Sequence, residues 1–148
     1  MVDNRDWKAL EAEYYIQTVN RVPIVLVKGE ESTVWDEDGN KFLDFVGGWA
    51  TATLGHSHPV LVKAITEQAN SLIQVSNAFY TIPQIELAKL LVDNSCMDRV
   101  FFCNSGAEAV EGAIKVARRY GQIKREGSFE IITALNSFHG RTFGTLSA

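Results

Sequence analysis

The stretch Val100 to Ala117, V-F-F-C-N-S-G-A-E-A-V-E-G-A-I-K-V-A, does most to narrow the folds open to this chain. Val100 to Cys103 is a short apolar run, which predicts a strand buried on both faces inside a parallel sheet. A helix is expected directly after it. Ser105 is a favoured N-cap and Glu108 stands three positions on, the spacing of a capping box, while Gly106 lets a ligand approach the backbone. Strand, tight turn and helix in this order aim free N–H groups and a positive dipole end at one point, which suits a phosphate. The same residues also suit a helix that is merely capped, and the stretch alone does not choose.

A second stretch tips the balance towards a ligand. Ile131 to Leu135 predicts another strand, followed by S-F-H-G-R-T at Ser137 to Thr142. Open α/β sheets place ligands at the carboxyl ends of their strands. Phe138 offers a face to a flat heterocycle, and Arg141 a fork for a carboxylate. The order β, α, β from Val100 onward, with a right-handed crossover, predicts both strands in one parallel sheet and both loops at its same edge. The turn N-S-G-A-E-A lacks G-x-G-x-x-G, so a dinucleotide-binding reading is set aside.

Upstream, Asp6 to Gln17 is expected to form a first helix with Leu10, Tyr14 and Val19 inward. Strands follow at Ile24 to Val27, Ser32 to Asp36 and Lys41 to Phe45, with Asp38-Gly39 at a hairpin turn. Gly47 and Gly48 break the pattern, and the change of domain is placed there, with 1–48 in one domain and 49–148 in the next. His56 and His58 could supply two metal ligands, but no third follows at suitable spacing, and a turn with Pro59 opening a helix is expected instead. Leu61, Ile65, Gln68 and Leu72 trace one side of that helix. A further helix over Pro83 to Asp93 turns Ile85, Ala88, Leu91 and Val92 inward. In the helix after Ser105, Val110, Ile114 and Ala117 form the buried side and Glu111 can pair with Lys115. Gly121 to Gly127 reads as a polar connection.

Composition excludes several partners. A net charge of −4 over 148 residues argues against nucleic acid and anionic membranes, and no apolar run is long enough to span a bilayer. The N-terminus, M-V-D-N-R-D-W-K, is too polar for a signal peptide. Cys96 and Cys103 stand alone without C-x-x-C spacing, which fits free thiols and a cytoplasmic setting.

N-S-G-A-E-A-V-E-x-A-x-K-x-A-R at Asn104, S-F-H-G-R-T at Ser137, L-G-H-S-H-P at Leu54 and S-N-A-F-Y at Ser76 together resemble the class III aminotransferases. These are fold-type I enzymes that use pyridoxal 5'-phosphate (PLP), and the motifs are most similar to the acetylornithine and ornithine branch. The resemblance implies an α/β fold: a small β-containing N-terminal region, then the start of a large, mainly parallel α/β/α domain. It implies that Ser105, Gly106 and Ala107 hold the cofactor phosphate, Phe138 stacks on the pyridine ring, and Arg141 binds a substrate carboxylate. Asn77 and Tyr80 would lie near a dimer interface, and Trp49 in the substrate cavity. Tryptophan departs there from the family's usual isoleucine or tyrosine.

The resemblance also implies a Schiff-base lysine, and none of the seven lysines sits in that motif. The chain is therefore expected to be the N-terminal part of a longer, homodimeric cytoplasmic enzyme. That enzyme is expected to move an amino group from N-acetylornithine, or a related ω-amino donor, to 2-oxoglutarate, as in arginine biosynthesis. The alternatives are a 4-aminobutyrate or other ω-amino acid aminotransferase, or a non-catalytic binding or dimerisation fragment. A helix N-terminus contributes about 0.3–1 kcal/mol towards an anion and an aromatic contact about 0.5–1.5. Millimolar affinity needs about 4 kcal/mol, so weak PLP binding and no transamination are expected of the chain alone.

Overall fold

Asp6 opens the first helix: its Oδ1 accepts from the backbone N–H groups of Lys8 and Ala9, both at 3.1 Å. This cap satisfies donors that have no partner inside the helix. The structure, a computed structural model, describes residues 6–148. They divide into two units, the first ending at Ser76 and the second running from Asn77 to Ala148.

In the first unit, helix α1 (Trp7–Tyr14) ends three residues short of the expected Gln17. The Gln17 amide reaches back to the carbonyls of Glu11 and Tyr15, taking up acceptors that a further turn would have used. Strands β1 (Leu26–Glu30), β2 (Thr33–Asp36) and β3 (Lys41–Leu43) form an antiparallel meander in the order β1-β2-β3. Val34, opposite Gly29 and Phe42, is its buried apolar residue, 7% exposed. The first strand starts at Leu26 rather than Ile24, because the Ile24 N–H turns back to the Val22 carbonyl at 2.7 Å and leaves the ladder. The hairpin at Asp38-Gly39 forms as expected. Asp36 organises it, accepting from the Asn40 N–H at 2.7 Å, the Asn40 amide at 2.9 Å and the Asp38 N–H at 3.1 Å.

The L-G-H-S-H-P segment is tied to this meander. Gly55, at φ +85°, passes so close to Glu31 that a Cβ would meet its Cα at 2.9 Å. That approach lets Glu31 and His56 exchange backbone hydrogen bonds of 2.9 and 2.7 Å. The His56 ring lies against Gly29, and its Nε2 is 2.7 Å from Asp44 Oδ2. Asp44 also accepts from the N–H groups of Val46 and Gly47, at 2.9 Å each. The Gly47 N–H, followed by the His56 ring, holds its carboxyl below the usual aspartate range. The short α2 (Gly47–Ala50) is no ordinary helix: φ is +54°, +60°, +58° and +63° along its residues. Helix α3 (Pro59–Ser71) then begins with proline in its first turn, where the missing N–H costs nothing.

The second unit holds α4 (Ile82–Asp93), α5 (Gly106–Lys124) and α6 (Phe143–Leu146). Several expectations are corrected here. Val100 to Cys103 and Ile131 to Leu135 run without ladder partners, and the expected parallel sheet does not form among the described residues. Consecutive strands of a crossover need not be neighbours, and these two do not pair with each other. α5 runs through Gly121 to Lys124, where a connection was expected. The helix closes only when the N–H groups of Arg125 and Gly127 reach the Gly121 carbonyl, at 2.9 and 3.2 Å. The apolar sides of α3 and α4 form at the expected spacing but are not covered. Leu61, Ile65, Leu72, Ile85 and Leu91 are exposed, as is Ala117 on α5, whereas Ala88, Val92, Val110 and Ile114 are half-buried.

Candidate cofactor cleft

At the start of α5, Ser105 is the N-cap, in extended conformation, and its Oγ accepts from the Glu108 N–H at 3.2 Å. The Glu108 carboxylate returns one residue further back than a capping box requires. It accepts from the Asn104 N–H at 2.5 Å and from the Asn104 amide at 3.4 Å. Both of its oxygens are thus engaged by Asn104. The N–H groups of Gly106 and Ala107 find no acceptor among the described residues, as the geometry of a helix start dictates. Beyond its chain neighbours and its own helix backbone, no atom lies within 4 Å of where a Gly106 Cβ would stand, which leaves room for a ligand there.

The S-F-H-G-R-T loop comes against this helix end. Gly140, at φ +131°, is buried so tightly that a Cβ would stand 2.8 Å from the Ala107 Cβ and 2.7 Å from Thr145 Oγ1. Gly106, Ala107, Val110, Phe138, His139, Gly140 and Arg141 line one cleft of about 380 Å³. Phe138 is 75% exposed, and the Arg141 guanidinium sits 5.5 Å from its ring centroid. Arg141 has no hydrogen-bonding or ion-pair partner among the described residues. His139 Nε2 is buried without a hydrogen-bond partner. An orphaned polar atom, two free N–H groups and an unpaired guanidinium in one cleft fit an anionic, ring-bearing guest.

The structure brings Gly106, Ala107, Phe138 and Arg141 together in this cleft, and Ser105 precedes it as the N-cap of α5. Trp49 belongs to the first unit, where its side chain is 91% exposed on a left-handed backbone. Clefts of 480 and 570 Å³ in the first unit are larger, but both border the Glu11–Arg21 ion pair, whose charges already satisfy each other. Volume alone favours those clefts; unmet donors favour the smaller one.

Sequence reasoning missed the residues that hold the loop. Thr142 caps α6, its Oγ1 accepting from the Thr145 N–H at 3.3 Å, while Thr145 Oγ1 accepts from the Thr142 N–H at 2.9 Å. Glu111, expected to pair with Lys115, instead accepts from the Thr142 hydroxyl and from the Gly144 N–H at 3.1 Å. The spacing T-F-G-T signals the cap. Nothing local signals the partner of Glu111, which lies 31 residues away.

These elements and this cleft define an α/β chain with a phosphate-suited helix start beside an aromatic face and a guanidinium. The aminotransferase class-III family pattern matches residues 14–148, and the chain belongs to that family. It is 57% identical over 139 residues to acetylornithine aminotransferase of Caldanaerobacter subterraneus subsp. tengcongensis, covering 93% of this chain and 35% of that protein. Among solved structures, ornithine aminotransferase from Toxoplasma gondii ME49 superposes with a TM-score of 0.86 at 31% identity, over 97% of this chain and 34% of that one. Taurine:2-oxoglutarate aminotransferase from Bifidobacterium kashiwanohense, in complex with PLP and glutamate, gives 0.82 at 34% identity, over 92% and 31%. The fold is thus that of PLP-dependent aminotransferases. The chain spans about a third of the length of the relatives it matches.

Proposed function

We propose that the complete protein is a homodimeric, cytoplasmic PLP-dependent aminotransferase that moves an amino group from N-acetylornithine, or a related ω-amino donor, to 2-oxoglutarate. The observation that carries this reading is the cleft in which the Gly106 and Ala107 N–H groups, the Phe138 ring and the unpaired Arg141 converge. Ser105, Gly106 and Ala107 would hold the cofactor phosphate, and Phe138 would cover one face of its ring. Arg141 would fix a substrate carboxylate through two parallel hydrogen bonds, with Trp49 contributing to donor selection. When bound, PLP supplies an electron sink for the carbon that carries the amino nitrogen. In this reading residues 1–48 belong to a small domain and 49–148 to the large one. The chain by itself binds without transaminating. The identity to an acetylornithine enzyme supports the donor.

A second donor reading rests on one observation, the likeness to a taurine-using enzyme at a TM-score of 0.82. Activity of the protein expressed in full from its own gene separates the two. N-acetylornithine turning over faster than 4-aminobutyrate or taurine supports the first, and the reverse order overturns it. Absence of a PLP absorption band that borohydride fixes onto the polypeptide would overturn both.

A further inference from the structure

Glu111 lies in the second turn of α5, half-buried and one turn along from Ala107. Its carboxylate does not face solvent lysines. It accepts from the Thr142 hydroxyl and the Gly144 N–H, and Gly144 is so close that a Cβ there would stand 2.5 Å from both carboxylate oxygens. Thr142 is in turn locked to Thr145, which is 2% exposed, and Thr145 Oγ1 is the atom that a Cβ on Gly140 would strike. Arg141 is therefore bracketed. The residue before it is wedged between Ala107 and Thr145, and the residue after it is bonded to Glu111.

We propose that Glu111 is a positioning residue for the cleft: its carboxylate, through Thr142 and Gly144, fixes the backbone on which Arg141 and Phe138 stand relative to the N-terminus of α5. This inference rests on the proposed function for its kinetic consequence, though not for the contact itself. A carboxylate suits the place because it accepts two hydrogen bonds at once, strengthened by its charge. A guanidinium held by its backbone binds a carboxylate equally in ground and transition states, so its misplacement should raise KM and leave kcat nearly untouched.

The test uses the protein expressed in full from its own gene and three variants: Glu111→Ala, Glu111→Gln and Gly144→Ala. In Glu111→Ala, amide hydrogen exchange over residues 142–146 is expected to quicken at least about tenfold, since the Gly144 N–H loses its acceptor. KM for 2-oxoglutarate is expected to rise about 10- to 100-fold, the scale of losing hydrogen bonds to a charged group, with kcat within about threefold. Glu111→Gln keeps an oxygen acceptor but loses the charge, and should fall between wild type and Glu111→Ala in both readings. Gly144→Ala, which pushes the carboxylate away without removing it, should behave like Glu111→Ala and guards against a variant that simply misfolds. Unchanged exchange, or faster exchange with unchanged KM, overturns the inference. If the wild-type protein takes up no PLP in a fluorescence titration, the proposed function falls instead, and the exchange comparison alone decides whether Glu111 holds the loop.

Discussion

The Arg141 guanidinium stands 5.5 Å from the centroid of the Phe138 ring, and no carboxylate among the described residues pairs with it. The cation thus rests on an aromatic face, a contact of about 0.5–1 kcal/mol at exposed sites, with its five donors left for a guest. Arg141→Lys keeps the charge but loses the planar fork. Hydrogen bonds to charged groups contribute about 1.5–3 kcal/mol, so KM for 2-oxoglutarate should rise at least about tenfold in the full-length protein. Steady-state kinetics check this, and an unaltered KM would remove Arg141 from the carboxylate site. Phe138→Ala should weaken PLP binding about 2- to 12-fold, from an aromatic contact of about 0.5–1.5 kcal/mol.

Two glycines of the cleft should respond in opposite ways to the same change. At Gly106 a Cβ meets nothing within 4 Å, so Gly106→Ala should hold or raise stability, by about 0.4–1 kcal/mol, while intruding on the phosphate site and lowering PLP affinity. At Gly140 the backbone is left-handed and a Cβ would collide with Ala107 and Thr145. Gly140→Ala should therefore lose about 1–3 kcal/mol. Thermal melts of the two variants give the comparison, and equal melting temperatures would contradict the packing described here.

Acid should loosen the meander of the first unit. The carboxyl of Asp36 is held below the usual aspartate range, first by the Asn40 side chain, and that of Asp44, first by the Gly47 N–H. A folded-state pKa lower than the unfolded one contributes stability that is complete above the unfolded value, about 3.9. That stability drains away as pH falls through the folded values. Unfolding midpoints should accordingly drop below about pH 4, and Asp44→Asn should flatten that drop. A variant curve parallel to wild type would count against the assignment.

Trp49 combines a 91% exposed side chain with φ of +58°. A left-handed L-residue costs about 1–2 kcal/mol, and glycine would return about 0.5–1 of that through its looser unfolded chain. Trp49→Gly should thus leave urea stability unchanged or raise it by up to about 1.5 kcal/mol, the difference of those two terms. Any shift in preference between N-acetylornithine and 4-aminobutyrate then reports on the indole itself. A clear loss of stability would show that the ring is packed in the assembled protein.

Local chemistry was legible in the sequence. Ser105, Pro59 and the Asp38-Gly39 turn act where their neighbours said they would, because caps and turns are settled within a few residues, whereas the Glu108 carboxylate overshoots the cap to Asn104. Non-local pairing was not. Val100 to Cys103 has the composition of a strand, yet a ladder also needs a neighbour, and composition does not name one. Glu111 illustrates the same limit from the polar side: an i,i+4 lysine was available, but two donors from a distant loop took its oxygens. Phe138 and Arg141 were legible as chemical types, whereas their wedge, Gly140 against Ala107, required the fold.

The bond from Thr142 to Glu111 spans 31 residues of chain. Closing such a loop costs about 3 kcal/mol plus a constant, a cost that falls on the contacts between α5 and the loop. During synthesis at about 5–20 residues per second, Glu111 leaves the peptidyl-transfer centre roughly 2–6 s before Thr142 exists. For that interval the helix has no loop to hold. The loop that carries Phe138 and Arg141 is thus made only after the helix it rests on.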